Sequence, residues 1–269
     1  MDEPADAPIL PSPWGRLRRF TPARIALGRA GTSIPTQAQL AFQLAHARAR
    51  DAVHHILATE DLRAGLVQRG RAVATVRSAA PDRRTYLQRP DLGRRLDEAS
   101  RARLATLGAA DDAAYDLAIV LADGLSAFAI EQNALPFLDA LLPRLSASAW
   151  TLAPLVIAEQ ARVALGDDIA MTLHARMVAI LIGERPGLSS PDSMGIYLTW
   201  QPRIDTIDAQ RNCISNIRRE GLDIEHAADK LHWLMGEARS RQLSGVLLKD
   251  EAQAPHERLA APATNFLLE

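Results

Sequence analysis

Residues 177–190, MVAILIGERPGLSS, change abruptly from a run of six apolar side chains to a charged pair and a Pro-Gly turn signal. A short apolar run that ends at turn residues is typical of a strand buried on both faces of a sheet. In open α/β sheets, ligands bind just beyond the carboxyl ends of such strands. We therefore predict a buried strand here and a binding site next to Glu184 and Arg185.

Three other short apolar runs continue this pattern along the chain. They are YDLAIVLADGLS at residues 115–126, WTLAPLVIAE at 150–159 and MGIYLTW at 194–200, with helical sequence between them. Strands that alternate with helices predict a parallel sheet that has helices on both faces. We therefore expect an α/β fold whose C-terminal domain is Rossmann-like.

The common catalytic and nucleotide-binding signatures are absent from the sequence. No G-x-G-x-x-G follows the first of these strands, which disfavours a nicotinamide or flavin dinucleotide site. The chain also lacks a G-x-x-x-x-G-K-[ST] P-loop and the G-x-S-x-G nucleophile elbow of hydrolases. Instead, Asp123 and Gly124 precede a helix that Ser126 is expected to cap.

The first hundred residues are expected to be mainly helical. Thr36 and Gln39 match the T-x-x-Q capping box, which predicts the start of a long helix. The stretch 67–78 is ambiguous between helix and strand, whereas 81–108 predicts a turn followed by a helix. The long helix is predicted to bury one stripe of side chains: Leu40, Leu44, Ala47, Val53, Ile56 and Leu57.

A last helix is predicted after residue 223, with Asp223 as its N-cap. Its core-facing side chains are expected to be Leu231, Leu234, Met235 and Ala238. Residues 245–251, GVLLKDE, are compatible with a final strand. The chain divides into a flexible Pro-rich arm at 1–22, a helical N-terminal domain at 23–110, a Rossmann-like domain at 111–250 and a polar tail at 251–269.

Composition argues against secretion and membrane insertion. The only cysteine is Cys213, which permits no internal disulfide and no Cys-based zinc site and favours a reducing cytoplasm. The acidic, Pro-rich start lacks the apolar core of a signal peptide. No apolar run reaches the ~18 residues of a membrane span. We therefore expect a soluble, cytoplasmic chain with no membrane partner.

Nucleic-acid and metal binding are not expected either. Arginines dominate the charge up to about Arg103 and acidic residues dominate afterwards, but only 4% of the residues are aromatic and no stacking platform lies among the arginines. Solvated helix faces or a protein-docking surface explain these arginines as well. His46, His54 and His55 lack the spacing of a helical zinc motif and are interpreted as surface or half-buried polar residues.

Five separated blocks of the sequence carry a resemblance to a known family. They are TPARIALGRAGTSIPTQAQLAFQLAHARARDAVH at 21–54, YLQRPDLGRRL at 86–96, DLAIVLADGLSAFAI at 116–130, ILIGERPGLSSPDSMGIYLTW at 180–200 and RNCISNIRREG at 211–221. In this order they resemble the small (light-chain) subunit of ethanolamine ammonia-lyase, over about residues 21–249. The resemblance implies a helical N-terminal domain and a Rossmann-like C-terminal domain.

The resemblance also implies a function. It implies an adenosylcobalamin-dependent lyase that converts ethanolamine to acetaldehyde and ammonia, in which a large subunit holds the substrate. Three cobalamin-contact positions carry over by motif: Val163 in ARVALGDD, Glu184 in GERPGL and Cys213 in RNCISN. No catalytic acid, base or nucleophile is assigned to this chain. If the resemblance is set aside, each residue has a structural explanation. Val163 would pack in the core, Glu184 would form an ion pair with Arg185, and Cys213 would be a small buried hydrophobic residue.

The sequence also indicates which group serves as the lower ligand of the cobalt in the cofactor. Some cobalamin enzymes replace the benzimidazole of the cofactor with the histidine of a D-x-H-x-x-G motif, but none of the seven histidines here has an aspartate two residues before it. We therefore expect the cofactor to keep its own base. Nitrogen-15 coupling at cobalt, in the EPR spectrum of labelled protein with cob(II)alamin, would contradict this expectation.

A non-catalytic interpretation remains open. The basic helical half and the Pro-rich arm would also suit an adaptor that docks onto another protein or directs a complex to a bacterial microcompartment. The two interpretations differ in the cofactor, because only a lyase subunit depends on cobalamin for assembly and activity.

Overall fold

The computed structural model describes residues 9–108 and 114–249 of the 269-residue chain. The strands are β1 (Val73–Arg77), β2 (Tyr115–Ala122), β3 (Leu155–Glu159), β4 (Ala175–Gly183), β5 (Met194–Trp200) and β6 (Arg211–Ile217). The helices are α1 (Thr36–His54), α2 (Thr59–Gln68), α3 (Arg83–Gln88), α4 (Glu98–Gly108), α5 (Ala127–Ala147), α6 (Leu165–Thr172) and α7 (Ile224–Arg241). The predicted α/β fold, with a helical region before the sheet, is confirmed.

The strands form one six-stranded sheet in the order β1-β3-β2-β4-β5-β6. β1, β2, β3 and β4 pair in parallel, whereas β5 pairs antiparallel with β4, and β6 pairs antiparallel with β5. The predicted parallel sheet therefore ends at β4. The physical reason is the connection at 184–193, because a parallel crossover needs about a dozen residues or more and usually a helix.

The sequence pattern did not predict two of the six strands, β1 and β6. The ambiguous stretch 67–78 contains the last residues of α2 and then β1, which pairs with β3 and so belongs to the same sheet as the later strands. β6 was not predicted from the pattern. It lies at the sheet edge and buries only Arg211, Ile214 and Ile217, so it lacks the continuous apolar run of a strand covered on both faces.

The sheet core explains why the other strands were recognisable. Along β2, Ile119 and Leu121 join an apolar cluster with α2, α5 and α7, while Val120 and Ala122 join a second cluster with α4 and α6. All four side chains are at most 1% exposed. Successive strand residues point to opposite faces, so a strand covered on both faces must be apolar throughout.

The predicted caps of two helices are present. Ser126 accepts a hydrogen bond from the backbone of Ala129 at the start of α5, and Asp223 accepts one from His226 at the start of α7. The four predicted core residues of α7 are buried. Residues 245–247 form a 3₁₀ turn, so the predicted final strand is wrong. The side-chain amide of Asn212 binds the carbonyls of Gly245 and Leu248 there, in place of a strand partner.

The first helix differs from its prediction in two ways. Pro35 is the N-cap of α1, which has no side-chain capping bond, so the predicted capping box is not formed. The predicted buried stripe is wrong for three of its six residues: Leu40 is 58% exposed, Leu44 is 53% exposed and Ile56 is 82% exposed. Of the other three, Leu57 is buried, and Ala47 and Val53 are half-buried. α1 packs on α5, and within the described part of the chain no element covers this apolar side.

Residues 9–35, before α1, form little regular secondary structure and bury only Pro35. Residues Pro13–Arg19 form a 3₁₀ helix with no buried residue, and Leu10 pairs with Arg29 in an antiparallel bridge. The division of the chain into four regions stays a prediction, and residues 1–8 and the predicted tail at 251–269 lie outside the described residues. Within 9–108 and 114–249, no helix is long and apolar enough to cross a membrane.

Candidate functional site

The candidate site lies where the helical cover of the sheet ends. Ile180 of β4, Tyr197 of β5 and Cys213 of β6 are register partners and form one row across the sheet. Ile180 is buried beneath α6, where a methyl added to Gly166 would lie 3.3 Å from its Cβ. Tyr197 is half-buried and Cys213 is exposed. The sheet face therefore opens to solvent over β5 and β6, and we call this surface the open face.

Glu184 follows β4 directly and turns its side chain onto the open face. Its Oε2 accepts hydrogen bonds from the Ser193 hydroxyl at 2.5 Å and from the Asn216 backbone at 3.2 Å. Its Oε1 has no hydrogen-bond partner among the described residues. A Cβ added to Gly195 would lie 2.8 Å from Oε1, so the carboxylate crosses β5 in the space that this glycine leaves free.

The electrostatics of the open face keep its thiol and phenol neutral. Cys213 is exposed as a whole residue, but its surroundings partly desolvate the thiol, and this desolvation raises the thiol pKa. A hydrogen bond with Tyr197 partly offsets the increase, and the charge of Glu184 adds to it. Burial also raises the pKa of Tyr197, and the neighbouring Cys213 and Glu184 add to this increase. At neutral pH, Glu184 therefore faces two protonated, uncharged groups.

Val163 lies beside this face rather than in the same row. It sits between β3 and α6, is half-buried, and packs against the same apolar cluster as Tyr197. Val163 also lines a cavity of about 890 Å³, enclosed by residues 90–101, 162–168 and 204–211. The cavity adjoins the open face, because Arg211 of its wall lies on β6 only two residues before Cys213.

A buried ion pair forms the wall between the cavity and the sheet. Arg211 donates two hydrogen bonds of 2.7 Å to the carboxylate of Asp167, and both side chains are 2% exposed. Burial raises the pKa of Asp167, while Arg211 opposes the shift. Arg211 also donates to the Thr206 carbonyl at 2.9 Å, which fixes the loop before β6 against α6. Removing one partner of such a pair costs about 3–5 kcal/mol.

The loop between β4 and β5 is held in place by neighbouring elements. The Ser126 hydroxyl donates to the carbonyl of Pro191 at 2.8 Å, and the Asn133 amide donates to the carbonyl of Asp192 at 2.9 Å. From the other side, Arg218 donates to the carbonyl of Ser189 at 3.1 Å. The segment that begins with Glu184 is therefore fixed by α5 and by the residue after β6.

The structure brings Glu184 and Cys213 together around Tyr197 and places Val163 in the adjoining cavity. Two of the alternative interpretations are wrong. Among the described residues Glu184 forms no ion pair with Arg185, since its carboxylate is bound by Ser193 and Asn216. Cys213 is an exposed residue with a partly desolvated thiol, not a buried core residue. The core-packing interpretation of Val163 holds in part, because its side chain contacts both the core and the cavity.

The sequence analysis missed the residues that organise this site. They are Ser193, Gly195, Tyr197, Arg211 and Asn216. The available signal was weak: Gly195 interrupts an apolar strand, and a glycine there suggests that another group approaches the backbone closely. Nothing in the sequence pairs Glu184 with residues nine and thirty-two positions later.

Comparison with known proteins places this geometry in a family context. Residues 11–249 match the family model described as Ethanolamine ammonia-lyase light chain (EutC). The chain is 58% identical to the ethanolamine ammonia-lyase small subunit of Pseudomonas paraeruginosa over 258 residues, which cover 96% of this chain and 94% of the relative. It is 57% identical to the small subunit of Azotobacter vinelandii over 263 residues, 97% of both chains. It is 55% identical to that of Pseudomonas fluorescens over 260 residues, 96% of this chain and 95% of the relative.

Proposed function

The chain belongs to the ethanolamine ammonia-lyase light-chain family, and from this premise we propose that its open face and the adjoining cavity contact adenosylcobalamin. The family and the relatives indicate a lyase subunit. In the proposed complex, a large subunit holds ethanolamine, and this chain holds the cofactor and supports assembly. The reaction converts ethanolamine to acetaldehyde and ammonia.

One observation carries the proposal: the unpaired Oε1 of Glu184 on an uncovered sheet face. Oε2 is fixed by Ser193 and Asn216, so the carboxylate has a defined orientation before any ligand arrives. A preorganised acceptor loses little conformational entropy on binding. An acceptor in this position suits a ligand that carries N–H donors at its periphery.

The residues of the open face fit the chemistry of a corrin. This macrocycle has apolar edges and a fringe of amides, so it requires apolar contact and a few placed acceptors. Val163 and the half-buried ring of Tyr197 offer apolar contact, and Glu184 offers the acceptor. When bound, adenosylcobalamin supplies the radical chemistry through homolysis of its cobalt–carbon bond.

The proposed role of this chain is to orient the cofactor and to exclude water from it. Val163 and Tyr197 give apolar contact, Glu184 holds an amide hydrogen, and the neutral thiol of Cys213 adds no charge. We assign no catalytic group to the chain. The large subunit closes the site from the opposite side, so the complex excludes solvent that would quench a radical. We place the complex in the cytoplasm, with a bacterial microcompartment as a further location.

The first test is a reconstitution. Acetaldehyde formation is measured with ethanolamine and adenosylcobalamin for this chain alone, for the cognate large subunit alone and for the two mixed. We expect activity only in the mixture. Turnover by this chain alone, or no turnover by a folded mixture, would refute the proposal.

The cofactor contact is tested with variants in the mixed complex. Glu184→Gln replaces the free oxygen or its fixed partner with an amide, and we expect the affinity for cobalamin to fall about tenfold. Val163→Trp is expected to lower the affinity at least as much, because a larger side chain fills the contact surface. Glu60→Gln is the control, since that side chain is 85% exposed on α2. The affinity for cobalamin is measured by spectrophotometric titration. Equal affinity of the wild-type complex and the three variants would contradict the proposed contact.

The adaptor interpretation also has a structural observation in its favour. Trp14, Phe20, Leu40 and Leu44 are each more than half exposed, so the N-terminal region presents apolar side chains that a protein partner would bury. An adaptor would bind its partner without cobalamin. Unchanged activity of Glu184→Gln and Val163→Trp complexes would favour this function and a role in microcompartment targeting.

A further inference from the structure

The edge strand β6 contains a β-bulge where it pairs with the start of β5. Met194 and Ile196 of β5 are two residues apart, but their register partners, Ile217 and Ile214 of β6, are three residues apart. β6 therefore carries one extra residue, and two of its residues lie opposite Gly195. A bulge of this kind interrupts the hydrogen-bond ladder of the sheet and redirects a backbone or side-chain group.

Asn216 is one of the two bulge residues, and its backbone N–H is redirected to Glu184. Its φ of 59° lies in the left-handed region, which asparagine tolerates better than most residues. The N–H donates to Oε2 of Glu184 at 3.2 Å, and the described register of β5 leaves Asn216 unpaired. The bulge thus supplies a donor for the carboxylate at the point where Gly195 leaves space for it.

The other polar groups of Asn216 are bound by the turn that follows β6. Its carbonyl accepts a hydrogen bond from the Leu222 backbone at 2.8 Å, and its Oδ1 accepts one from Nε of Arg218 at 2.9 Å. A Cβ added to Gly221 would lie 2.2 Å from the Asn216 carbonyl oxygen, so the turn packs tightly against the bulge. The direction of the Asn216 N–H is therefore set by this turn.

Arg218 also binds the loop that begins with Glu184. Its Nη1 donates to the Ser189 carbonyl at 3.1 Å and lies 3.9 Å from the carboxylate of Asp192. The Arg218 side chain is only 11% exposed, so these contacts are largely shielded from solvent. Its pair with Glu220, which is 79% exposed, adds little. One guanidinium group therefore joins the bulge in β6 to the loop between β4 and β5.

We propose that Arg218 is a positioning residue that sets the orientation of Glu184 toward the cofactor. Through Asn216 it holds a donor to the carboxylate, and through Ser189 it holds the loop from which Glu184 projects. A planar guanidinium group suits this role, because Nε and Nη1 donate in fixed directions to separate acceptors. The inference rests on the proposed function, since a cofactor on the open face is what would respond to the orientation of Glu184.

The first test is a double-mutant cycle in the complex with the large subunit. Equilibrium dialysis gives the affinity for hydroxocobalamin without turnover, for wild type, Glu184→Gln, Arg218→Gln and the double variant. We expect Arg218→Gln to lower the affinity about fivefold in the wild-type background and less than about twofold in the Glu184→Gln background. Two residues that act through one interaction give such non-additive losses, whereas a merely structural role for Arg218 gives equal losses in both backgrounds.

The control is Arg144→Gln, which removes another arginine that joins two elements. Arg144 of α5 donates to Asp229 and Glu225 of α7, away from the open face. We expect this variant to keep the wild-type affinity for hydroxocobalamin.

The second test uses the isolated chain without cobalamin and follows the pH midpoint of Cys213 alkylation. Loss of a positive charge by itself would disfavour the thiolate and move the midpoint to higher pH. Displacement of the negative charge of Glu184 would move it to lower pH instead. We expect Arg218→Gln to shift the midpoint to lower pH, in the same direction as Glu184→Gln, and Arg144→Gln to leave it unchanged.

Several results would overturn the inference. Undiminished affinity of Arg218→Gln, or equal losses in both backgrounds, would show that Arg218 does not act through Glu184. A midpoint that stays the same or moves to higher pH would show that Arg218 does not hold the carboxylate near Cys213. Arg218→Lys is the milder variant if Arg218→Gln does not fold, because it keeps the charge but lacks the planar pair of donors. Full affinity of Arg218→Lys would assign the effect to charge and not to positioning.

Failure of the proposed function gives a different result. In that case Glu184→Gln itself would bind hydroxocobalamin as tightly as wild type. The alkylation midpoint of the isolated chain would still decide whether Arg218 positions Glu184, because this measurement involves no cofactor.

Discussion

The carboxylate of Glu184 shows how a single residue acquires a role from distant neighbours. One oxygen is bound by Ser193 and Asn216, and the other lies over Gly195 with no partner among the described residues. The apolar run before it predicted that this residue ends a strand. Ser193 directly precedes β5, Gly195 lies in β5 and Asn216 lies in β6, so the local pattern around Glu184 does not specify these neighbours.

Cys213 gives a direct probe of this arrangement because it is the only cysteine. The negative charge of Glu184 disfavours the thiolate and so contributes to the raised pKa of Cys213, after the larger effect of burial. We predict that Glu184→Gln shifts the midpoint of iodoacetamide alkylation to lower pH. The measurement is the alkylation rate as a function of pH, with Glu60→Gln as the control of equal charge change.

In the wild-type chain, this midpoint should lie above that of a cysteine in an unstructured peptide. An identical midpoint in wild type and Glu184→Gln would mean that the two side chains do not share the open face. A shift of the same size in Glu60→Gln would point to net charge rather than to proximity.

At the scale of elements, the end of β4 meets the start of α5 without room for a side chain. A Cβ added to Gly183 would lie 2.0 Å from the carbonyl oxygen of Ser126. We predict that Gly183→Ala lowers the free energy of unfolding by about 1–3 kcal/mol, the usual cost of overpacking. In contrast, Gly236 lies inside α7 with no atom within 4 Å of an added Cβ.

Gly236→Ala is therefore the matched control, and it should raise the free energy of unfolding by about 0.5–1 kcal/mol through helix propensity. Urea unfolding followed by circular dichroism measures both changes. Equal effects of the two substitutions would contradict the close contact between the end of β4 and Ser126.

Substitutions on the exposed side of α1 are expected to affect binding to the large subunit more than the folding stability of the isolated chain. Leu40→Ser/Leu44→Ser changes two side chains that are 58% and 53% exposed, so the unfolding free energy of the isolated chain should stay within about 0.5 kcal/mol. Binding to the large subunit, measured by size-exclusion chromatography with light scattering, should weaken because this apolar surface is proposed to be buried there.

Leu66→Ala provides the opposite case. Leu66 is fully buried, and its truncation should cost about 2–5 kcal/mol in the isolated chain. If Leu40→Ser/Leu44→Ser destabilised the isolated chain to the same extent, α1 would be covered by this chain itself. Undiminished complex formation would show instead that the large subunit does not bind this surface.

At the scale of the whole molecule, Arg83 joins the helical region to the sheet. Its side chain donates to the Val53 carbonyl in α1 and to the Gly124 carbonyl after β2, both at 2.8 Å, and lies 3.5 Å from Asp123. Asp123 in turn accepts hydrogen bonds from Gln160 and Ala161. This cluster connects three separate parts of the fold around one buried carboxyl group.

Burial raises the pKa of Asp123 to about 6, although the N–H of Ala161 and the charge of Arg83 oppose the shift. The folded state therefore holds this proton more tightly than the unfolded state. The resulting stability is fully present below the unfolded pKa and is lost as pH rises through about 6. We predict a decrease on the order of 3 kcal/mol across this interval in wild type that is missing from Asp123→Asn.

Chemical unfolding at several pH values measures this difference. Asp123→Asn loses hydrogen bonds at every pH, so the change with pH is compared rather than the absolute stability. Parallel curves for the two proteins would mean that Asp123 ionises normally in the folded chain.

The sequence by itself determined the α/β class, the strands β2 to β5, the caps of α5 and α7 and the position of Glu184 at a strand end. These features follow from local periodicity, since a strand covered on both faces must be apolar and a helix must begin at a capping group. The five sequence blocks that resemble the family could likewise be recognised without a structure, because each is a continuous stretch of residues.

Only the tertiary structure decided the direction of β5, the edge strand β6, the exposure of α1 and the open face around Tyr197. The amphipathic pattern of α1 predicted a buried stripe but could not specify what would cover it, and no described part of this chain does so. The partners of Glu184 and the lining of the cavity beside Val163 depend on residues distant in sequence. Such contacts exist only after the chain has folded, because the close approach of side chains from different elements is set by packing and not by spacing along the chain.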